Sequence, residues 1–475
     1  MSSKKQTPIR DALTMASYTL LTTAPCVSQA SGNQFLEIDP WQSDSGSSWY
    51  GDPWKIDSAV LFYAERNRVK VLEPVIAGRK AIGDDEYLNL KLVGDTMTGA
   101  TPNGATATDR TQTFTTASGN SNYSAAPNET PLRHFSDSRL SLSADWEKPY
   151  SRTFRSVWGA SFSRETDYTS MGLSSTLSWD FNNKLTTLST GLSGSFDFVQ
   201  PSGGAPEGLA LTPKFLSFNS PTSANLTQTI TAASGGQSAN AVSSGENSGG
   251  EGSGVGLFGG KSKILADAMI GITQVVNRRT LMQLNYGFGR SSGYLTDPYK
   301  IVSVVDGVSG ETVAYRYEQR PGTRIRQTVY WKTVVHLPED IVHFSYRYYW
   351  DDWGIRSNTF DLQYRLELWH GNYLSPHFRY YTQTAADFYN FSLIQGEPLP
   401  TYISADYRLA AMISKTVGLK YGIPLGKDGE FSIRGEYMWQ TGDSHPADAI
   451  GIQKTENLYP GLQAYIFQLG YSYKF

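Results

Sequence analysis

The chain has 475 residues, a formal net charge of −3, 39% hydrophobic residues, 18% charged residues and a single cysteine. A near-zero charge without a basic run excludes the electrostatic footprint of a nucleic-acid-binding protein, and one cysteine excludes a disulfide framework or a cysteine-based zinc site. The chain is too polar for helical membrane spans and too weakly charged for an ordinary soluble domain. A transmembrane β-barrel fits this composition, because each strand needs only one apolar face.

The N-terminus has the pattern of an export signal. A positive head of Lys4, Lys5 and Arg10 precedes a mildly apolar run, and Ser28-Gln29-Ala30 resembles a cleavage site with small residues. We therefore expect residues 1–30 to be a signal peptide that is removed on export.

Residues 31–54 are expected to form a periplasmic N-terminal segment. Their aromatic residues include Trp41, Trp49, Tyr50 and Trp54. Either these residues anchor the segment at the membrane interface, which the pattern favours, or the segment enters the barrel as a plug.

From Lys55 onward, apolar and polar residues alternate with the two-residue period of a strand. In the segment 358–369, Phe360 and Leu362 fall on one face, and Asp361 and Arg365 fall on the other. Such segments reach the roughly nine to eleven residues or more of a membrane-spanning strand, beyond the usual five or six of soluble strands. Residues 55–475 are therefore predicted to be all-β, a transmembrane antiparallel barrel of about 16 strands (range about 14–18). The expected strands are 55–64, 68–80, 86–98, 136–147, 152–165, 168–181, 184–198, 263–277, 279–290, 322–336, 340–352, 355–369, 372–386, 402–423, 429–441 and 461–475.

The connections between these segments alternate in length. With both termini in the periplasm, every periplasmic joint is a short polar turn, such as Asn182-Asn183 or His370-Gly371. The long connections, 99–135, 199–262, 291–321, 387–401 and 442–460, all fall on the other side. Short periplasmic turns with long extracellular loops are the rule for outer-membrane barrels of Gram-negative bacteria. The Gly/Ser-rich composition of 199–262 predicts a long flexible extracellular loop.

The chain ends on an amphipathic strand. Its apolar face consists of Phe467, Leu469, Tyr471, Tyr473 and Phe475. This ending is similar to the recognition signal of the outer-membrane barrel-assembly machinery, although an ordinary amphipathic strand also produces the alternation. Expected partners are therefore outer-membrane lipid and that machinery.

A family resemblance is carried by the region 41–105. It contains Glu-Pro-Val at 73–75 and Asp-Thr-Met-Thr-Gly-Ala-Thr-Pro-Asn-Gly-Ala at 95–105. These motifs resemble a family of uncharacterised Gram-negative proteins grouped as a domain of unknown function. The resemblance implies an outer-membrane barrel and implies no reaction and no catalytic residues.

The sequence offers little support for an enzyme. His343 and His377 have Ser345 and Ser375 two residues away on the same strand faces. Such pairs arise freely among the polar positions of a wet barrel, and nucleophilic catalysis needs a geometry that sequence does not display. No phosphate-binding loop or calcium repeat is present, so we expect no enzyme, no cofactor and no metal.

The inner face is predicted to be charged unevenly, which tunes ion selectivity in channels. One half of the chain supplies Arg324, Arg326, Lys332, Arg347, Arg365, Arg379, Arg408, Lys420 and Arg434, with the acids Asp361, Glu367, Asp406 and Glu436. The other half supplies Asp95, Asp145, Asp180, Asp197 and Asp267, with Lys91, Arg139 and Arg155. The leading hypothesis is a porin-like channel for small hydrophilic solutes, with a basic wall that favours anions. The alternative is a non-conducting scaffold or sheath that holds a periplasmic or cell-surface partner, and an outer-membrane hydrolase is the weakest hypothesis.

Overall fold

The computed structural model describes residues 54–115, 122–201, 203–212 and 260–475. Sixteen antiparallel strands form a closed barrel, and the last strand pairs with the first from Lys55↔Lys474 to Glu65↔Ala464. In ring order the strands are β1 (Lys55–Glu65), β2 (Lys70–Gly83), β3 (Glu86–Pro102), β6 (Leu132–Pro149), β7 (Phe154–Arg164), β8 (Tyr168–Phe181), β9 (Thr186–Val199), β10 (Lys261–Asn277), β11 (Thr280–Gly293), β14 (Thr323–His336), β15 (Ile341–Asp351), β16 (Arg356–Glu367), β17 (Tyr373–Gln383), β19 (Met412–Leu425), β20 (Gly429–Gly442) and β21 (Leu462–Lys474). The predicted fold class is confirmed.

Five shorter strands lie in the long connections. They are β4 (Gln112–Thr115), β5 (Asn122–Ala125), β12 (Ile301–Val305), β13 (Thr312–Tyr317) and β18 (Ser392–Ile394). β4 and β5 form a hairpin, whereas β13, β12 and β18 form a three-stranded sheet in which β12 and β18 run parallel. None of these five strands was predicted from the sequence. In the described part of the chain no helix is long and apolar enough to span a membrane.

One predicted strand boundary is wrong, and it displaces two predicted inner-face residues. The strand expected at 402–423 begins only at Met412, and Tyr407–Leu409 forms a 3-10 turn. Asp406 causes the turn, because its side chain accepts a hydrogen bond from the backbone N–H of Arg408, a local bond that competes with strand pairing. Asp406 and Arg408 therefore lie in a long connection and not on the barrel wall.

The predicted alternation of connection lengths is confirmed. At the end of the barrel where β1 begins and β21 ends, every connection between strands is short, and we call this the turn end. Asn182 and Asn183 there adopt left-handed φ angles of 50° and 54°, which asparagine tolerates well. The long connections lie at the opposite end, the loop end. The expected signal peptide 1–30, all of segment 31–54 except Trp54, and most of loop 199–262 lie outside the described residues.

The outer face of the barrel is apolar. Leu173 is 72% exposed and Leu192 is 63% exposed, while the residues that alternate with them face inward. Stacked aromatic pairs flank this belt, Phe154–Trp179 at the turn end and Tyr437–Trp439 toward the loop end. The alternate residues from Tyr465 to Phe475 span about 34 Å along the strand at roughly 3.4 Å per residue. At a tilt of about 45° this corresponds to about 24 Å, the height of a lipid-facing belt.

Candidate functional site: the inner wall and the mouth

The inner face of β14–β17, β19 and β20, which we call the basic wall, carries an excess of positive charge. Eight basic and five acidic side chains occupy the inward positions, a net charge of +3. The basic residues are Arg324, Arg326, Lys332, Arg347, Arg365, Arg379, Lys420 and Arg434; the acidic ones are Asp351, Asp361, Glu367, Glu430 and Glu436. The predicted inner-wall residues of this half thus share one face, apart from Asp406 and Arg408.

Most of these arginines are paired along the wall. Arg324 Nη2 lies 2.5 Å from Asp351 Oδ2, and Arg365 Nε lies 2.6 Å from Glu367 Oε1. Arg326 Nη2 reaches Asp267 Oδ1 on β10, two strands away, at 2.9 Å. The sequence could place these side chains on one face, but only the register of the sheet brings each pair together. Paired charges act at short range, so the field inside the barrel depends on the net excess.

A second group links three strands around His377. Its Nε2 lies 2.9 Å from Asp361 Oδ2 and its Nδ1 lies 2.8 Å from Glu436 Oε1. Arg379 donates to Asp361 at 2.7 Å, and Arg434 donates to Glu436 at 2.6 Å. A general base needs a ring nitrogen that can accept a proton from the nucleophile. Both nitrogens of His377 already contact carboxylates, so this geometry does not support the Ser–His pair considered from sequence.

Aromatic rings support two further cations of the basic wall. The Arg365 guanidinium lies 3.6 Å from the centre of the Tyr373 ring, and the Arg347 guanidinium lies 5.4 Å from that of Tyr330. Stacking of this kind orients a guanidinium while leaving its donors directed sideways. Lys332 lies on the inner face of β14 opposite Ser345.

The remaining predicted acids line the other side of the barrel. Asp180 accepts hydrogen bonds from Arg155 at 3.1 Å and Thr187 at 2.7 Å. Asp197 accepts from Ser170 at 2.6 Å and also from Tyr168. Asp145 lies on β6 opposite Asn89. Asp180 and Asp197 are thus held by neighbouring hydroxyl groups and cations, and the other inward positions of β8 and β9 are mostly serine, threonine and glycine.

The connection 294–322 crosses the mouth of the barrel, and we call it the bridge. Around the ring, the eight connections at the loop end are β1–β2, β3–β6, β7–β8, β9–β10, β11–β14, β15–β16, β17–β19 and β20–β21. The bridge is the fifth, yet it contacts the second, third, seventh and eighth. An element that touches connections three places away in both directions has to pass over the opening.

The contacts that define the bridge are specific. Ile301 N–H donates to Asn103 O at 2.9 Å in the second connection, and the Tyr299 hydroxyl donates to Asp167 in the third at 2.5 Å. In the seventh connection, β18 pairs with β12 and Gln319 exchanges two backbone hydrogen bonds with Ile403. In the eighth, Ile452 N–H donates to the carbonyl of Ser309 at 2.8 Å.

Six charged groups fix the bridge to the seventh connection, and we call them the mouth cluster. They are Asp297, Lys300, Glu318, Arg320, Asp406 and Arg408. Arg320 bonds to Glu318 at 2.6 Å and to Asp406 at 2.9 Å, and Arg408 bonds to Asp297 at 2.9 Å. Glu318 is fully buried and also accepts from the Asp297 N–H at 2.7 Å and from the Ser404 hydroxyl. Buried charges persist only when paired and hydrogen-bonded.

The pKa directions follow from this packing. Burial acts to raise the pKa of Asp406, but Arg408, Lys300 and Arg320 outweigh it and hold that pKa well below its usual range. Burial likewise opposes ionisation of Asp297, yet the neighbouring Arg408 leaves its pKa lowered. Glu318 behaves in the opposite way, since burial dominates and raises its pKa.

A signal for the bridge was present in the sequence. The run Ile301–Val305 and the alternating segment 312–317 flank the short glycine-containing segment 306–311, a pattern that predicts a hairpin, and β12 pairs with β13 across this loop. The prediction of one long loop at 291–321 was wrong in detail, because β12 and β13 are ordered but too short to span a membrane. A group of acids near the mouth was also not predicted: Asp137, Glu165 and Asp167 place one oxygen each within 4.8 Å of one another.

The closed barrel and its apolar belt define the class, an outer-membrane-type β-barrel. Residues 10–473 match the family described as a protein of unknown function, DUF3570, and the chain belongs to that family. This confirms the suspected family. A search of curated proteins finds no sequence relative.

Solved structures with a similar arrangement are outer-membrane proteins of very different sequence. OccK5 (OpdH) of Pseudomonas aeruginosa is 6% identical, with a TM-score of 0.38, over 89% of this chain and 98% of that chain. OmpT of Vibrio cholerae is 7% identical, with a TM-score of 0.36, over 89% and 97%. A bacterial polysaccharide outer membrane secretin is 8% identical, with a TM-score of 0.40, over 89% and 99%. Values this low transfer no solute from those proteins to this chain.

Proposed function

We propose that this protein is a channel of the Gram-negative outer membrane that passes small hydrophilic solutes and favours anions. One observation carries the proposal: the same strands present an apolar belt outward and a charged face inward. Strands spaced by about 4.8 Å and tilted by about 40° give a 16-stranded barrel a backbone diameter of roughly 32 Å. Wall side chains, at about 5 Å each, leave an interior roughly 22 Å wide.

The preference for anions rests on the net charge of +3 on the basic wall. A fixed excess of one sign raises the local concentration of the opposite ion in a narrow, low-dielectric passage. Both termini are proposed to lie in the periplasm, with residues 1–30 as signal peptide and the C-terminal face as the signal for barrel assembly.

Planar-bilayer recording tests the proposal. The purified barrel should conduct, and its reversal potential in a salt gradient should report more anion than cation flux. Changing Arg347, Arg365 and Arg379 together to Gln should lower the anion/cation permeability ratio, most clearly at low salt, where screening is weak. Arg356→Gln is the matched control, since Arg356 is exposed and does not share the inward register of Arg365.

Two results would refute parts of this proposal. An unchanged ratio in the triple variant would show that the inner cations serve structure only. A folded barrel without conductance would remove the channel altogether. The absence of conductance would favour the second candidate, a non-conducting scaffold for a surface or periplasmic partner. The bridge across the mouth is the observation that favours testing this candidate.

A further inference from the structure

We propose that the bridge, residues 294–322, is the element that sets the size limit of the channel, and that the mouth cluster holds it in place. This inference rests on the proposed function and adds to it the part of the chain that decides which solutes pass. It concerns the size of the solute, whereas the basic wall concerns its charge.

The bridge contacts connections on both sides of the ring, so it lies across the opening and not beside it. Its sheet has three strands, which cover about 14 Å at roughly 4.8 Å per strand, or about 10 Å when seen edge-on. In an opening of roughly 22 Å, the sheet leaves between about one-third and about one-half of the width uncovered.

The packing of the bridge is that of a fixed element. Val302, Ser303 and Val305 have no exposed surface, which is unusual for a connection at the end of a barrel. Hydrogen bonds tie it to both neighbouring sides, including Thr106 N–H to Ser303 Oγ at 3.1 Å. Burial with paired backbone groups on both edges disfavours local opening.

The mouth cluster joins the bridge to the connection 384–411 through three acids and three bases. Moving the bridge away would separate Arg320 from Asp406 and Arg408 from Asp297, leaving paired charges without partners. Breaking a buried ion pair in this manner is strongly unfavourable, so the cluster opposes displacement of the bridge.

The structure suggests a clean deletion. Ile301 pairs directly with Tyr317, so residues 301–317 can be excised and Lys300 joined to Glu318 by two glycines without moving the barrel strands. Single-channel conductance and the swelling rate of proteoliposomes in sugars of increasing size measure the open area. We expect conductance to rise roughly twofold, because conductance follows the open cross-section, and larger sugars to enter.

The outcomes separate the two proposals. Equal conductance and an equal size limit in the intact and excised proteins would overturn the role of the bridge and leave the channel standing. An intact protein that is silent while the excised protein conducts would support the bridge as the obstacle and overturn passive diffusion through the native form. Silence in both, with folded protein shown by heat-modifiable mobility, would overturn both proposals.

A point variant covers the case in which the excised protein fails to fold. Asp406→Asn removes a buried charge that Arg320 contacts at 2.9 Å, and we expect additional, larger conductance steps. Glu311→Gln is the matched control on the bridge, since Glu311 forms an exposed pair with Arg110, and such pairs contribute little. Identical current traces for Asp406→Asn, Glu311→Gln and wild type would overturn the role of the mouth cluster.

Discussion

The two faces of β9 provide the sharpest test of how the barrel meets the membrane. Leu192 and Ser193 are adjacent at the middle of the strand, and Leu192 is 63% exposed on the outer face. Ser193 faces inward, directly opposite Asp267 on β10. Leu192→Arg and Ser193→Arg therefore introduce the same side chain at the same depth on opposite faces.

The expected costs differ because the two surroundings differ. An arginine on the lipid face at the midplane of a barrel destabilises it by about 2–4 kcal/mol. Ser193→Arg places the cation in a polar interior beside a carboxylate, so we expect a change within about 1 kcal/mol. The predicted difference is at least about 1 kcal/mol, roughly a factor of 5 in the folding equilibrium constant.

Reversible unfolding in urea from lipid vesicles measures this difference, with heat-modifiable mobility as the check on folding. Equal losses in the two variants, or a greater loss for Ser193→Arg, would refute the assignment of faces. That result would also undermine the channel proposal, because the inner charges would no longer line an aqueous interior.

Three further predictions concern the wall and the mouth. His377→Ala should lower the free energy of unfolding by about 1–3 kcal/mol, because it removes the ring that joins Asp361 to Glu436 and leaves each carboxylate only its arginine partner. The urea midpoint should recover in part in His377→Gln, and an unaltered midpoint in His377→Ala would contradict this. Gly422→Ala should cost about 1–3 kcal/mol, since its Cβ would lie 2.1 Å from the Tyr373 ring, whereas Gly287→Ala, with nothing closer than 4.0 Å, should be far milder. Acid should loosen the bridge only below about pH 4. The pKa values of Asp406 and Asp297 are lowered in the folded protein, so the stabilisation from these two carboxylates is complete above their pKa in the unfolded chain and is lost as the pH falls through their pKa in the native state. Glu318, with a raised pKa, acts in the opposite sense, and larger conductance steps already at pH 6 would contradict the dominance of the two aspartates.

Strand register was predictable wherever alternation was long and regular. In 356–367 the residues assigned to the outer face, such as Phe360 and Leu362, are the exposed ones, and Asp361 lies on the inner face. A two-residue period over a strand of membrane-spanning length leaves few possible registers, because a shift by one residue would turn every apolar side chain of the strand into the lumen.

The partners of the inner charges were not predictable. Arg326 contacts Asp267, which is 59 residues earlier in the chain, and His377 contacts Glu436, which is 59 residues later. Alternation assigns a side chain to a face, whereas pairing depends on the relative register of strands that the sequence does not align. The loop end was missed for another reason, since its order depends on contacts among connections far apart in sequence, such as β12 with β18.

Local pairing changes what the inner charges can do. A cation held 2.5 Å to 2.9 Å from a carboxylate presents a dipole to a passing ion, and its field declines faster with distance than that of a single charge. The excess of +3 on the basic wall faces an acid-rich opposite wall, so only the difference between the two walls acts across a lumen roughly 22 Å wide, where salt at 0.15 M screens beyond about 8 Å. Selection by charge should therefore be weak in the open lumen and strongest where solutes pass close to the wall. The bridge brings solutes close to the wall by narrowing the mouth. Removing the bridge should therefore admit larger solutes and weaken the preference for anions.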